Sequence, residues 1–520
     1  MSSAASTAWS DGPVPKAARF MITLAVMSST LIQVLDTTIV NVALPHMQGE
    51  LGATTDQVSW VLTSYLVSSA ICMPLTGFFS DVMGRKRFLL VCISGFVVAS
   101  ALCGLSQNIV EIVGFRLLQG VFGAALVPLS QAIMSDAYPP EERGKAMSIW
   151  GIGVMVGPVL GPSLGGWLTE FASWRWTFYI NLPVGVLSFF LASQFVPDTQ
   201  RRERRMDWAG FALMAVGLAG LQYVLDRGNQ QDWFGAKDIR IGAALAVIGL
   251  VAFTFYSLKR GASAVFDVRI FRDRNFSMSC FLMAALGLGM FGGLVVQPIL
   301  LEGLLGYPIV TTGLVMAPRG IASAVSMLVV GRLVSQVDSR LLVGTGLLLS
   351  ALGSYAMTSY SLDVDKFHLI WPVILQGAGL GLIFVPLSTI AYATLERSRL
   401  AEAAGIYLLI RSLGAAIGIS LITTVLTRQA QVIWNELGGH VTPYSASLAD
   451  YLRPLGMFPG DPQGAALVTQ QIARQAQMGA TLDVFLLITW SFLIMLPLLL
   501  LFKGSRNGGH ASGAAAASME

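Results

Sequence analysis

Fourteen stretches of about 20 mostly apolar residues recur along this chain, each long enough to cross the hydrocarbon slab of a bilayer. They begin near Phe20, Val58, Phe88, Ile109, Ala146, Thr177, Trp208, Ile241, Ser277, Ile309, Leu341, His368, Ala403 and Leu482. Inside lipid every backbone N–H and C=O must be satisfied within its own segment, so stretches of this length can only be helices. Composition agrees: of 520 residues 54% are apolar and 12% charged, and the mean hydropathy is +0.67. The expectation is an all-α membrane protein with 14 transmembrane helices.

With the N-terminus placed in the cytoplasm, 22 of the 33 Lys and Arg fall in inner loops and tails and eight in outer loops, while Arg116, Arg319 and Arg411 fall within spans. That bias is what the positive-inside rule demands, and an even number of spans returns the C-terminus to the cytoplasm. The run Arg201, Arg202, Arg204 and Arg205 therefore reads as a topological anchor. The net charge of +4 is not a nucleic-acid footprint, since no basic-plus-aromatic module accompanies it. The tails 1–18 and 504–520 are expected on the cytoplasmic side, the second rich in Gly, Ala and Ser and reading as disordered. Cys72, Cys92, Cys103 and Cys280 lie in spans without metal-ligand spacing and read as packing residues.

The fifth stretch carries Gly153, Gly157, Gly161 and Gly165, four residues apart. On a helix they form one bare stripe, which lets a neighbouring backbone approach closely. Pro158 and Pro162, in phase with the stripe, each remove a helical hydrogen bond and crowd the carbonyl four residues back. A helix that packs tightly and bends is expected here.

A faint repeat is also present. Leu118-Gln119-Gly120 followed by Val127-Pro128-Leu129-Ser130 recurs as Leu375-Gln376-Gly377 followed by Val385-Pro386-Leu387-Ser388, offset by 257 and then 258 residues. Two copies of a six-helix half would be offset by roughly 200 residues, so the surplus fits two additional helices near 208–226 and 241–258. The expected organisation is a first half over 19–198, two added helices with their inner flanks over 199–275, and a second half over 276–503. The second half includes an outer loop at 428–481. Halves repeated about an axis along the membrane normal resemble the build of the major facilitator fold, with a substrate path between them.

Polar side chains inside spans carry the chemistry, because an ionised one costs about 2.5–3.5 kcal/mol at the centre of a lone inserted helix. Gln33, Asp36, Thr37 and Asn41 lie at spacings of three and four, a polar stripe on the first span. Asp36 lies some six residues below the outer end of that span, and Arg116 lies a similar distance into the fourth. At about 1.5 Å per residue, both sit roughly 9 Å below the outer edge of the slab. Equal depth lets them interact. Two readings stand: a static pair joining two helices, or a carboxylate whose proton affinity changes as a cavity rewets, which is what proton coupling requires. Arg319 and Arg411 fall near the middle of the tenth and thirteenth spans. Each either lines a substrate path or pairs with a carbonyl or the facing half. Gln33, Asn41, Gln119, Arg319 and Arg411 are the candidate cavity residues.

Several segments resemble known signatures. Gly77-Phe-Phe-Ser-Asp81-Val-Met-Gly84-Arg85-Lys86-Arg87 resembles the signature cytoplasmic loop of the major facilitator superfamily. Its glycines permit a tight turn and helix contact, Asp81 caps or pairs across an inner gate, and the basic trio holds the loop inside. The corresponding loop after Gly331 keeps Asp338 and Arg340 and is otherwise degenerate. The segment from Leu35 to Pro45 resembles the first-helix signature of the fourteen-helix drug:proton antiporters. Arg116-Leu-Leu-Gln119-Gly120 resembles their fourth-helix arginine motif, and the glycine–proline stripe resembles the fifth-helix motif of antiporters. Pro139-Pro140 before Arg143, and Leu225-Asp226-Arg227-Gly228 followed by Asp232-Trp233-Phe234, are similar to the inner-membrane pumps of tripartite multidrug efflux systems.

The resemblance implies alternating access driven by the proton motive force, without a cofactor, in a bacterial inner membrane. It assigns proton binding to Asp36 with Arg116 modulating it, and gating to Asp81 with Arg143 as its cross-loop partner. A lining rich in Met and aromatic side chains would suit bulky apolar or cationic drugs. The outer segment from Arg428 to Thr481 reads as an external hairpin or lid. The same likeness makes it a contact for a periplasmic adaptor leading to an outer-membrane channel. A proton-coupled symporter or uniporter of a small nutrient or metabolite is the alternative class, which the fifth-helix pattern opposes. An enzyme is not expected: no metal-spaced cluster is present, and Gly144-Lys145 lacks the glycine five residues upstream that a phosphate loop requires.

Overall fold

The computed structural model describes residues 15–139, 142–334, 336–396, 399–442, 444–458 and 461–501. The tail 504–520 and most of the tail 1–18 lie outside the described residues, as do Pro140 and the side chains of Pro158 and Pro162. The described residues contain helices and no strand. The long helices are α1 (Lys16–Glu50), α2 (Thr55–Cys72 continuing into Thr76–Met83), α3 (Arg85–Leu105), α4 (Ile109–Gly123 continuing into Leu126–Ala137), α5 (Arg143–Phe171) and α6 (Trp176–Tyr179 continuing into Asn181–Phe195). There follow α7 (Trp208–Arg227), α8 (Lys237–Arg260), α9 (Arg274–Pro298), α10 (Ile309–Leu333), α11 (Ser339–Met357), α12 (Lys366–Ala393), α13 (Leu400–Gly439) and α14 (Pro462–Met495).

Among the described residues, twelve helices are long and apolar enough to cross a membrane, all of those above except α5 and α9. The chain is a multi-pass membrane protein. α5 and α9, of 29 and 25 residues, include side chains outside the described set, and both pack among the spans.

Proline sets the interruptions in α2, α4 and α6, because it cannot donate to the carbonyl four residues back. Pro74 falls in the 3-10 turn Met73–Leu75. Pro128 and Pro183 follow the breaks at 124–125 and at Ile180. Helix starts are capped by short polar side chains. Thr54 and Gln57 form a reciprocal box at α2, while Asp207, Asp273 and Asp365 accept from backbone N–H groups at 3.1, 2.8 and 3.2 Å.

Helices α1 to α6 pack on one another, as do α9 to α14, and the α7–α8 hairpin lies beside α2 and α13. α5 joins the two sets by packing on α10 and α12. The sequence repeat has a spatial counterpart. A Cβ on Gly120 would stand 2.6 Å from the Tyr65 carbonyl of α2, and one on Gly377 would stand 2.9 Å from Arg319 Cα of α10. Each glycine thus lets its helix press against the backbone of the corresponding neighbour.

The segment 428–481 takes the hairpin form of the two alternatives, built from the ends of two long helices. α13 runs for 40 residues to Gly439, and α14 starts at Pro462 and runs for 34. At about 1.5 Å per residue both exceed the slab of about 30 Å, so the last two helices project beyond it. Between them lie the short helix Ala446–Leu452 and a groove lined by Leu426, Ala430, Trp434 and Ala473.

Candidate functional site

Asp36 lies fully buried on α1 and accepts three hydrogen bonds. Arg116 Nη1 of α4 donates to Oδ2 at 2.6 Å, while Gln119 Nε2 and Asn181 Nδ2 donate to Oδ1 at 2.9 and 3.0 Å. Arg116 is equally buried and is held from every side. Its Nε donates to the Val61 carbonyl at 3.0 Å, its Nη1 also reaches Gln119 Oε1 at 2.7 Å, and its guanidinium lies 4.3 Å from the Tyr65 ring centroid. Two opposite charges taken out of water are tolerable only when each is paired and its remaining hydrogen bonds are filled. That condition is met here.

The equal-depth expectation for Asp36 and Arg116 therefore corresponds to direct contact. Gln119 joins them. Gln33 donates to the Tyr65 hydroxyl at 3.1 Å, one residue removed from the pair. Asn41 is exposed and donates to the Thr37 carbonyl at 3.1 Å, apart from the cluster. Sequence reasoning missed Asn181 and Tyr65. Asn181 had a signal, a lone amide in an apolar span two residues before Pro183. Tyr65 had none.

The glycine stripe is the seam between α5 and α1. A Cβ on Gly157 would stand 2.9 Å from the Val34 carbonyl, and one on Gly165 would stand 2.9 Å from that of Ile39. Gly153 faces Met27, and Gly161 faces Thr38. The Thr38 hydroxyl donates across the seam to the Gly157 carbonyl at 3.1 Å.

The loop after α2 ends the helix at Gly84, whose φ of +82° favours glycine. Arg85 N donates to Thr199 Oγ1 at 2.9 Å, and the Arg85 side chain pairs with Asp136 of α4. The ion pair recorded for Asp81 is with Arg204 at 3.4 Å, and its carbonyl accepts from Arg202 N at 2.8 Å. So part of the basic run read as an anchor lies against the loop. Arg143 is the first residue of α5. A Cβ on Gly77 would stand 2.7 Å from Glu402 Cβ, so the end of α2 touches the start of α13. Other contacts between the two sets lie at the same end of the bundle: Trp150 stacked on Phe384 at 5.8 Å, Tyr392 donating to Gln131 Oε1 at 2.9 Å, and Gly144 against Val334.

Arg319 is buried on α10, and its Nη2 donates to the Met290 carbonyl at 3.2 Å. Arg411 is partly exposed on α13, with its guanidinium 5.8 Å from the Phe384 ring centroid. Among the described residues, neither arginine has a carboxylate partner.

A third polar contact, also missed, fastens the α7–α8 hairpin to α2. Thr63 donates to Asp226, and Arg227 lies 5.0 Å from the Trp60 ring centroid.

Comparison with known proteins supplies the family. The pattern of the Major Facilitator Superfamily matches residues 26–419. Fatty acid resistance protein FarB of Neisseria gonorrhoeae is 35% identical over 507 residues, 96% of this chain and 99% of that protein. Multidrug export protein EmrB of Escherichia coli K12 is 32% identical, over 97% of this chain and 99% of its own. Among solved structures, the human organic anion transporter MFSD10 (TETRAN) superposes with a TM-score of 0.59 at 16% identity, covering 92% of this chain and 100% of that one. The proton:xylose symporter XylE gives 0.59 at 14%, covering 94% and 97%. At these identities the two structures share the fold alone. The helical bundle, the family pattern and relatives alike over nearly their whole length lead to one conclusion: the chain belongs to the major facilitator superfamily, and it is a transporter rather than an enzyme.

Proposed function

We propose that the chain is a proton-driven exporter of structurally diverse drugs or toxic hydrophobic compounds, working by alternating access. The observation that carries this reading is the buried Asp36–Arg116 pair, 2.6 Å apart and fully withdrawn from solvent. Protonation of Asp36 would neutralise one member of the pair and free Arg116, Gln119 and Asn181 to rearrange. Loss of the proton would restore the pair. Such an element is bistable, and proton binding can bias it. The names of the relatives, multidrug export protein and fatty acid resistance protein, support export.

In this reading the fourteen long helices all span. They form halves over 19–198 and 276–503, with the two added helices lying within 199–275. The termini are cytoplasmic and the membrane is the bacterial inner membrane. Gly77, Asp81, Gly84, Arg85 and Arg143 belong to the inner gate, with Arg204 added to them. Gly153, Gly157, Gly161 and Gly165 make the seam on which the first half holds together, on the helix that also carries Pro158 and Pro162. Gln33, Asn41, Gln119, Arg319 and Arg411 face or flank the substrate path. The contacts at Gly77, Trp150 and Tyr392 close the path at its inner end. The projecting ends of α13 and α14 form the docking surface for a periplasmic adaptor and, through it, an outer-membrane channel.

Energised inverted vesicles test the coupling. Adding a transported drug should raise the pH of the acidic lumen, and the Asp36→Asn variant should not respond. Further acidification of the lumen would contradict antiport. For the adaptor, deleting residues 440–461 should abolish adaptor pull-down and leave the pH response. Retained pull-down would reject that surface.

A further inference from the structure

The charges in the middle of the two helix sets are balanced differently. On the α1–α6 side Arg116 meets Asp36. On the α9–α14 side Arg319 and Arg411 meet no carboxylate among the described residues. An arginine retained in a span without an anion is costly, and the cost is offset when something negative arrives.

The groups around each arginine are also short of partners. Arg319 uses Nη2 on the Met290 carbonyl, and its buried Nη1 has no hydrogen-bond partner. Gln376 uses Nε2 on Ser354 Oγ at 2.9 Å and leaves its buried Oε1 without one. A Cβ on Gly293 would stand 3.6 Å from that Nη1 and 3.7 Å from the Gln376 amide, so a bare glycine forms the third wall of a polar niche between α9, α10 and α12. Arg411 lies over Phe384 and is partly exposed. One turn before it, the fully buried Tyr407 hydroxyl also lacks a partner. An unmade bond on a buried group is expensive unless a ligand makes it.

We propose that the α9–α14 side of the path binds the carboxylate of amphipathic organic acids, through Arg411 and Arg319, with the unpartnered Tyr407 hydroxyl as a further donor. Guanidinium presents a planar fork that matches a carboxylate, and the surrounding Met290 and Phe384 suit an apolar body. A cationic drug would meet two like charges here, so of the bulky apolar or cationic drugs expected from the sequence the cations are disfavoured and acids take their place. The inference rests on the export reading and names the chemical class of its substrate.

The test is equilibrium binding to the purified full chain in zwitterionic nanodiscs. The ligands share one naphthalene body: 1-naphthoate, its isosteric neutral amide 1-naphthamide, and the cation 1-naphthylmethylammonium. The wild type should bind the carboxylate at least tenfold more tightly than the amide, and the ammonium least tightly. In Arg411→Gln and Arg319→Gln the carboxylate should fall to within twofold of the amide, and Arg411→Lys and Arg319→Lys should keep part of the preference. Equal binding of carboxylate and amide by the wild type would overturn the proposal. So would an unchanged ratio in both Gln variants. Displacement of naphthoate by phosphatidylglycerol but not by benzoate would assign the cations to a lipid headgroup and equally overturn it. A wild type that prefers the carboxylate yet gives no drug-induced pH response would sink the export reading and leave the anion site standing.

Discussion

Arg116 Nη1 lies 2.6 Å from Asp36 Oδ2, and neither residue has any exposure to solvent. Arg116→Ala strands the carboxylate and also empties the volume of a large buried side chain, a loss of about 3–5 kcal/mol or more, whereas Asp36→Asn keeps the volume and an amide oxygen facing a guanidinium that still holds Val61 and Gln119. Arg116→Ala should therefore lower the thermal unfolding midpoint far more than Asp36→Asn. Asp36→Asn should fold and lose at least a hundredfold in proton-coupled export. The double variant should regain part of the stability lost by Arg116→Ala and none of the coupling. Unfolding scans and vesicle pH assays on the three variants check the scheme.

Asn181 ties α6 to the same carboxylate. Its Nδ2 reaches Asp36 Oδ1 at 3.0 Å and Ser100 Oγ at 3.1 Å. A hydrogen bond to a charged group contributes about 1.5–3 kcal/mol, and one between neutral groups about 1. Asn181→Ala should lower stability measurably and cut export several-fold, while Ser100→Ala should do little. Equal effects of the two substitutions would show that the bond to Asp36 carries no special weight.

The α1–α5 seam predicts a graded series. Gly157→Leu forces a side chain into the Val34 backbone and should abolish export. Thr38→Val removes the one hydroxyl that donates across the seam to the Gly157 carbonyl, along with its local bonds to the Val34 and Leu35 carbonyls, and should cost about 1 kcal/mol. Gly114→Ala on α4, where a Cβ meets nothing within 4 Å, is the matched control and should be silent. Unimpaired export by Gly157→Leu would leave the seam without mechanical importance.

At the end of the bundle that carries the loop after α2, Asp81 and Arg204 are 3.4 Å apart and partly exposed, so their attraction alone is worth less than about 1 kcal/mol. Their value lies in position. Asp81→Arg should impair export, and adding Arg204→Asp should restore part of it. No restoration would mean that Asp81 acts through another contact.

The parts legible in the sequence are those set by local chemistry. Depth along a span follows from counting residues, which is why Asp36 and Arg116 could be matched across 80 positions. Glycine spacing follows from helix geometry, so the seam from Gly153 to Gly165 was readable, although its partner α1 was not. Illegible were the contacts decided by how helices rotate and where they break. Asn181 reaches Asp36 from α6, which is interrupted at Ile180, and Arg204 meets Asp81 because the linker after α6 folds back beneath α2. The segment 428–481 read as a hairpin or lid, with Pro443, Pro454 and Pro459 breaking its pattern and a polar helix-like run over 463–477; the structure continues that run into α14 and extends α13 to Gly439.

Closure of the inner end can be tested by a cross-link. A Cβ on Gly144, at the start of α5, would stand 3.5 Å from Val334 Cβ, just past the end of α10. Disulfides span Cβ separations of about 3.5–4.5 Å, so cysteines placed there can bond with little movement of either backbone. The native Cys72, Cys92, Cys103 and Cys280 are all unpaired and must first be replaced. Under oxidant, Gly144→Cys with Val334→Cys should form an intramolecular bond that holds α5 to α10. If the two helix sets must separate at this end during each cycle, export should stop when the bond forms and return when it is reduced. The Val334→Cys single variant should export normally throughout. Full export with the bond in place would mean that the inner end stays shut during transport, and the path would have to open elsewhere.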